Sequence, residues 1–166
     1  AVLGETMGWF AGLVREDGTV AAWGADLYGR VSGASSIANA VEVDGGGSHL
    51  LALLSDGTVA AWGRNDYGQV SGASSVTNAI KIDGGYFHSL ALKSDGTVAA
   101  WGHNTYGQVS GASSVTNAKS ITGGYYHSLA LRNDSTVAAW GRNANGEVSG
   151  ASSVTNAVAL AAGQYY

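Results

Sequence analysis

The 166-residue sequence has no cysteine and no proline. Without cysteine there is no disulfide framework, no thiolate nucleophile and no cysteine-bound zinc, and the redox compartment stays open. Charge is scarce: only 12% of residues are Asp, Glu, Lys or Arg, their formal sum is −4, and neither sign forms a run. Affinity for a phosphate backbone needs clustered Lys and Arg, so no nucleic acid partner is expected. No stretch approaches the roughly 20 apolar residues that span a bilayer, and no basic segment precedes an apolar one, so no membrane partner is expected. Helical periodicity is missing as well. The first residue is Ala1 rather than methionine, which fits a processed chain or a piece of a longer one.

What is present is 45% apolar residues and 26 glycines, the composition of a globular core rather than of low-complexity disorder. The dominant feature is a repeat. Trp23, Trp62, Trp101 and Trp140 are each 39 residues apart. Thr-Val-Ala-Ala-Trp-Gly recurs at 19–24, 58–63, 97–102 and 136–141, and Val-Ser-Gly-Ala-Ser-Ser at 31–36, 70–75, 109–114 and 148–153. The chain reads as a single repeat domain, 1–166, with units 1–39, 40–78, 79–117 and 118–156, while 157–166 starts a fifth. A period near 40 built from short strands is the signature of propeller blades rather than of helical solenoids.

In the third unit Ala79–Ile82 reads as a strand ended by Asp83-Gly84-Gly85. His88–Leu92 reads as a second strand, Asp95-Gly96 as a two-residue hairpin turn, and Thr97–Trp101 as a third strand. On the second strand His88, Leu90 and Leu92 share a bulky face, Ser89 and Ala91 a small one. Such sheets suit stacking, with large groups meeting small ones. The expected fold is therefore all-β, a propeller or open propeller arc of about four three-stranded blades. Trp23, Trp62, Trp101 and Trp140 are assigned to its core, each worth at most about 4–6 kcal/mol. Asp134-Ser135 replaces Asp-Gly in the fourth unit, where a looser turn is expected.

Residues 1–10 share the phase of 157–166, so there are five copies of the first strand and four of each other. Four blades make too tight a ring, and an open arc exposes two apolar faces. The leading expectation is a homo-oligomer in which a second chain completes the ring. The alternative is a fragment of a larger propeller. The unvarying Val-Ser-Gly-Ala-Ser-Ser segments argue for recent amplification or design.

Variation concentrates in two loops. One follows the Gly-Gly pair and holds Trp9-Phe10, Ser48-His49, Tyr86-Phe87, Tyr125-Tyr126 and Tyr165-Tyr166. The other holds Asp26-Leu27-Tyr28, Asn65-Asp66-Tyr67, Asn104-Thr105-Tyr106 and Ala144-Asn145. His49, His88 and His127 share one phase, and a ring could bring them toward an axis; a hydrogen-bonded structural role outweighs a metal site. No carboxylate that would support these histidines precedes them at a fixed offset except Asp44 and Asp83, and the next copy of that position is Thr122. No unit breaks symmetry with a catalytic set, so no enzyme, metal or cofactor is expected.

Gly85-Tyr86-Phe87-His88-Ser89-Leu90-Ala91-Leu92, then Asp95-Gly96-Thr97-Val98, Trp101-Gly102, Asn104 and Tyr106-Gly107-Gln108, resembles the regulator of chromosome condensation repeat. The resemblance covers nearly the whole chain and is closest to short-repeat bacterial members, the secreted β-lactamase inhibitor protein II family. That family has more repeats, and carries prolines after its Gly-Gln that this chain lacks. The resemblance implies a secreted or extracellular bacterial setting, a protein partner, and inhibition of an enzyme such as a β-lactamase as one alternative. It also implies Tyr86, Phe87, Tyr125, Tyr126 and Asp66 as contact residues. Aromatic rings offer rigid area at low entropic cost. The competing reading is that these rings pack against the next blade or plug the channel.

Overall fold

In a computed structural model of the chain the described residues are 3–4, for the backbone alone, and 10–163. Trp9, Tyr165 and Tyr166 lie outside them. Four three-stranded antiparallel sheets follow one another: β1 (Leu3–Gly4), β2 (Phe10–Val14) and β3 (Val20–Gly24); β4 (Ala40–Gly45), β5 (His49–Leu54) and β6 (Val59–Gly63); β7 (Ala79–Gly84), β8 (His88–Lys93) and β9 (Val98–Gly102); β10 (Ala118–Gly123), β11 (His127–Arg132) and β12 (Val137–Gly141). Each is a meander in which consecutive strands pair. The last three blades share one register, for example Ile82↔Ala91 and Leu90↔Ala100, with a bulge after Ala40, Ala79 and Ala118.

The blades stack into an open arc with a core at each of three junctions. Leu51 and Leu53 of the second blade meet Ala91 of the third, and Leu90 and Leu92 of the third meet Ala130 of the fourth. The bulky face of one blade thus packs on the small face of the next, as the alternation of side chains along the second strand requires.

Each Ser-Gly-Ala-Ser-Ser segment is a 3-10 turn: Ser32–Ser36, Ser71–Ser75, Ser110–Ser114 and Ser149–Ser153. These invariant segments carry packing. A Cβ on Gly72 would lie 2.5 Å from the Trp101 indole, and one on Gly111 2.6 Å from Trp140. Only glycine lets the indole of one blade lie flat on the turn of the blade before it. Ala73 and Ala112 are buried beneath.

That geometry corrects the assignment of all four tryptophans to the core. Trp62, Trp101 and Trp140 are each 7% exposed, but Trp23 is 50% exposed, because among the described residues no 3-10 turn comes before the first blade to receive it. The hairpins also differ from the two-residue turns expected. Lys93 N–H bonds the Thr97 carbonyl and Gly96 N–H the Lys93 carbonyl, so the loop is three residues long, with only the glycine at positive φ. Ser135 adopts the same turn rather than a looser one, at φ 66° with its N–H on the Arg132 carbonyl. The Asp134 carboxylate holds it by accepting from Thr136 N–H at 2.9 Å and its hydroxyl at 2.7 Å. The fifth copy of the first strand, 157–163, forms no strand.

Two outcomes follow. Ser135→Gly removes a left-handed serine and should raise stability by about 1 kcal/mol, read as a higher denaturant midpoint with unchanged slope. Gly111→Ala should lower stability by about 1–3 kcal/mol and shift tryptophan emission, because the indole must move.

Candidate functional site

At each of the last two junctions a buried relay ties the blades together. The Ser89 hydroxyl donates to the Gln69 carbonyl at 3.1 Å, which leaves its oxygen to accept from His49 Nε2–H at 2.8 Å. The Trp101 indole N–H donates to the same carbonyl at 2.9 Å. His88, Ser128, Trp140 and the Gln108 carbonyl repeat the set. At the first junction Trp62 donates to the Arg30 carbonyl at 2.7 Å, while Phe10 and Leu50 replace histidine and serine. His49 and His88 are thus spent on structure. Among the described residues no three His, Cys, Asp or Glu side chains lie close enough to hold a metal. Asp44 and Asp83 do not support them either: their carboxylates accept from Gly84 N–H and Gly123 N–H, each at 2.6 Å, along the inner strands.

The two variable loops leave the strands at the same end, since His88 pairs with Gly102. There the rings form one continuous layer. Tyr86 stacks on Tyr125 at 4.2 Å, Phe87 meets Tyr86 edge-on at 4.5 Å, and Phe87 and Tyr126 are 5.8 Å apart. Tyr86 lies over Gly47, where a Cβ would clash with its ring. So the structure brings Tyr86, Phe87, Tyr125 and Tyr126 together, each half-buried against the others. Asp66 joins from the margin, exposed and paired with Arg64 Nε at 2.6 Å.

The layer is larger than the sequence indicated. Tyr67 lies 5.5 Å from Phe87 and 4.7 Å from His103, and Tyr106 lies 5.0 Å from Tyr126. The Arg64 guanidinium sits over Tyr28, Tyr67 and Phe87, and that of Arg142 over Tyr106. Aromatic and cation–π contacts of this kind hold rings in place at about 0.5–1.5 kcal/mol each. The available signal was the fixed offset: Tyr67 and Tyr106 each stand two residues before Gln69 and Gln108, whose side chains accept their backbone N–H groups at 2.9 Å. Beside Tyr125 and Tyr126 a cleft of about 240 Å³ is also lined by His127, Arg142, Asn145 and Glu147.

Burial pushes the Asp83 carboxyl up to about 7, with the nearby Asp44 carboxyl adding to it; Asp44, also buried, rises to about 6. Burial lowers His49 to about 4 and His88 to about 3. The two pairs oppose each other. The carboxyls favour the folded state at low pH and lose that contribution as pH rises from about 4 to about 7, whereas the histidines lose theirs as pH falls below about 6.5. Asp83→Asn keeps a neutral acceptor for Gly123 N–H. Its melting temperature relative to the parent chain should therefore climb between pH 4 and pH 8; a constant difference would contradict the burial of this carboxyl.

The sequence pattern of the Regulator of chromosome condensation (RCC1) repeat matches residues 40–69, 79–108 and 118–147. No curated protein sequence matches the chain. Among solved structures, Prp20p from Saccharomyces cerevisiae superposes with a TM-score of 0.69 at 19% identity, over 84% of this chain and 44% of that one. The ectodomain of the receptor kinase CR4 from Physcomitrella patens gives 0.74 at 20% identity, over 99% of this chain and 45% of that one. The ectodomain of the Arabidopsis thaliana receptor kinase ACR4 gives 0.68 at 17%, over 98% and 56%. The chain thus spans about half the length of these proteins, and the likeness is one of fold.

Proposed function

Because the chain belongs to the RCC1 repeat family, we propose that it is a non-catalytic propeller scaffold that binds another protein through its aromatic rim. The observation that carries this reading is the layer formed by Tyr67, Tyr86, Phe87, Tyr106, Tyr125 and Tyr126 with Arg64 along one rim of the arc. Tyrosine and arginine held rigid by mutual stacking are the residue types that dominate binding hot spots, and they lose little entropy on contact. Asp66, Tyr86, Phe87, Tyr125 and Tyr126 are the contact residues, with Tyr67 and Tyr106 as exposed flanks. A net charge of −4 without basic runs favours a protein over a nucleic acid. The yeast relative Prp20p is described with binding to Gsp1p and histones, which supports a protein-binding role for this fold. Inhibition of a secreted enzyme such as a β-lactamase is the alternative use of the same rim. Self-association through the blade faces is a second reading, carried by different residues at the two ends of the arc.

The immobilised chain presented with histones, Gsp1p and a β-lactamase tests the rim. The reading expects a ligand whose affinity drops tenfold or more with Phe87→Ala or Tyr126→Ala. It fails if all three proteins are ignored at about 10 µM, or if binding survives both substitutions.

A further inference from the structure

The two ends of the arc are the two halves of the junction that the chain already makes three times. At each internal junction an indole of the following blade lies on the glycine of the preceding 3-10 turn, and Val76 and Val115 beside the second and third turns are 5% and 2% exposed. At the last turn a Cβ on Gly150 would meet nothing within 4 Å, and Val154 is 41% exposed. The bulky face behind it opens as an apolar groove of about 290 Å³ lined by Leu129, Val137, Gly150, Val154, Ala157 and Leu160. At the other end Trp23 stands 50% exposed, on the face that also carries Ala11, Leu13 and Ala21. Among the described residues, one end has an indole without a turn, and the other has a turn without an indole.

The backbone carries a second mark of the same kind. Residues 157–163 already run where the inner strand of a next blade belongs. Ala157 N–H bonds the Ser135 carbonyl as Ala79 bonds Gly57 and Ala118 bonds Gly96, and Tyr125 N–H bonds the Gly163 carbonyl as Tyr86 bonds Gly124. The first blade, conversely, has a poor inner strand. β1 pairs Leu3↔Leu13 and Gly4↔Gly12, one residue out of step with Ile82↔Ala91 and Ile121↔Ala130. The core position held by Val43, Ile82 and Ile121 falls on Gly4 at the N-terminus, and on Leu160 in the C-terminal segment. The better-matched strand for the first blade is thus at the far end of the chain.

We propose that two copies of this chain join head to tail at both ends, resting on the self-association reading above. Trp23 of each copy lies on the Gly150 turn of the other and donates to the Glu147 carbonyl. Residues 157–163 of each supply the inner strand of the other's first blade in place of β1. A heterologous contact of this kind must close on itself or run on as a filament. The chain covers 44–56% of the structures it superposes on, so two copies fill about the span of one such protein. The new junction differs from its internal counterparts at two points. Leu13 stands on the receiving face where Ala52, Ala91 and Ala130 take the bulky face of the blade before. His127 would face Ala11, where His49 and His88 face Ser89 and Ser128.

Sedimentation equilibrium of the purified chain from about 1 to 50 µM should give twice the chain mass of 16.7 kDa. Gly150→Leu enters open space in a single arc but fills the seat of the Trp23 indole, so it should give monomers with unchanged circular dichroism. Ala11→Ser restores the partner for His127 and should tighten association about fivefold. Phe87→Ala and Tyr126→Ala should leave the mass unchanged, which separates this proposal from the rim. A monomer at 50 µM, a ladder of longer oligomers, or a dimer that survives Gly150→Leu overturns it; a dimer lost only with the rim substitutions overturns it too and makes the rim the self-contact.

Discussion

One backbone carbonyl per unit carries the architecture. The Gln69 carbonyl accepts from the Trp101 indole and the Ser89 hydroxyl, and the Gln108 carbonyl does the same for Trp140 and Ser128. Both donors come from the following blade, so the bond can form only when two blades stand at the right angle. Glycine in the 3-10 turn sets the closest approach, and the large-on-small packing of Leu51 and Leu53 against Ala91 fills the space behind. A buried polar group left without such a partner would cost about 1–3 kcal/mol, which makes the blade angle a sharply defined quantity rather than a loose preference.

Most of this was legible in the residues because a repeat reports its own constraints. Strand order, three-stranded blades and the bulky and small faces followed from His88-Ser89-Leu90-Ala91-Leu92 and from the 39-residue spacing of the tryptophans. What stayed hidden was directional. An indole reads as core wherever it occurs, yet Trp23 and Trp62 differ in exposure because each depends on the unit before it. Likewise the unvarying Ser-Gly-Ala-Ser-Ser read only as a mark of recent amplification or design, although its glycine and alanine sit against the indole and the core. A positive-φ serine looked costly in isolation; the Asp134 carboxylate and the paired strands impose the turn regardless.

The rim follows from the same geometry. Because blades stand close at the Gly-Gly corners, residues 86, 87, 125 and 126 must stack on one another, and rings that stack become a preorganised surface. The sequence pointed to those four through resemblance, and to Asp66; for Tyr67 and Tyr106 it offered only their fixed offset before Gln69 and Gln108, and for Arg64 nothing. Their contribution comes from loops folded over by the Asn65 and Asn104 side chains, which accept from backbone N–H groups five and six residues later.

Exchange of the indole N–H protons, followed by NMR in deuterated water, tests the junction most directly. The account predicts that the signals of Trp62, Trp101 and Trp140 persist with protection close to that of the core strands. Exchange of those three at the rate of a free indole would contradict it.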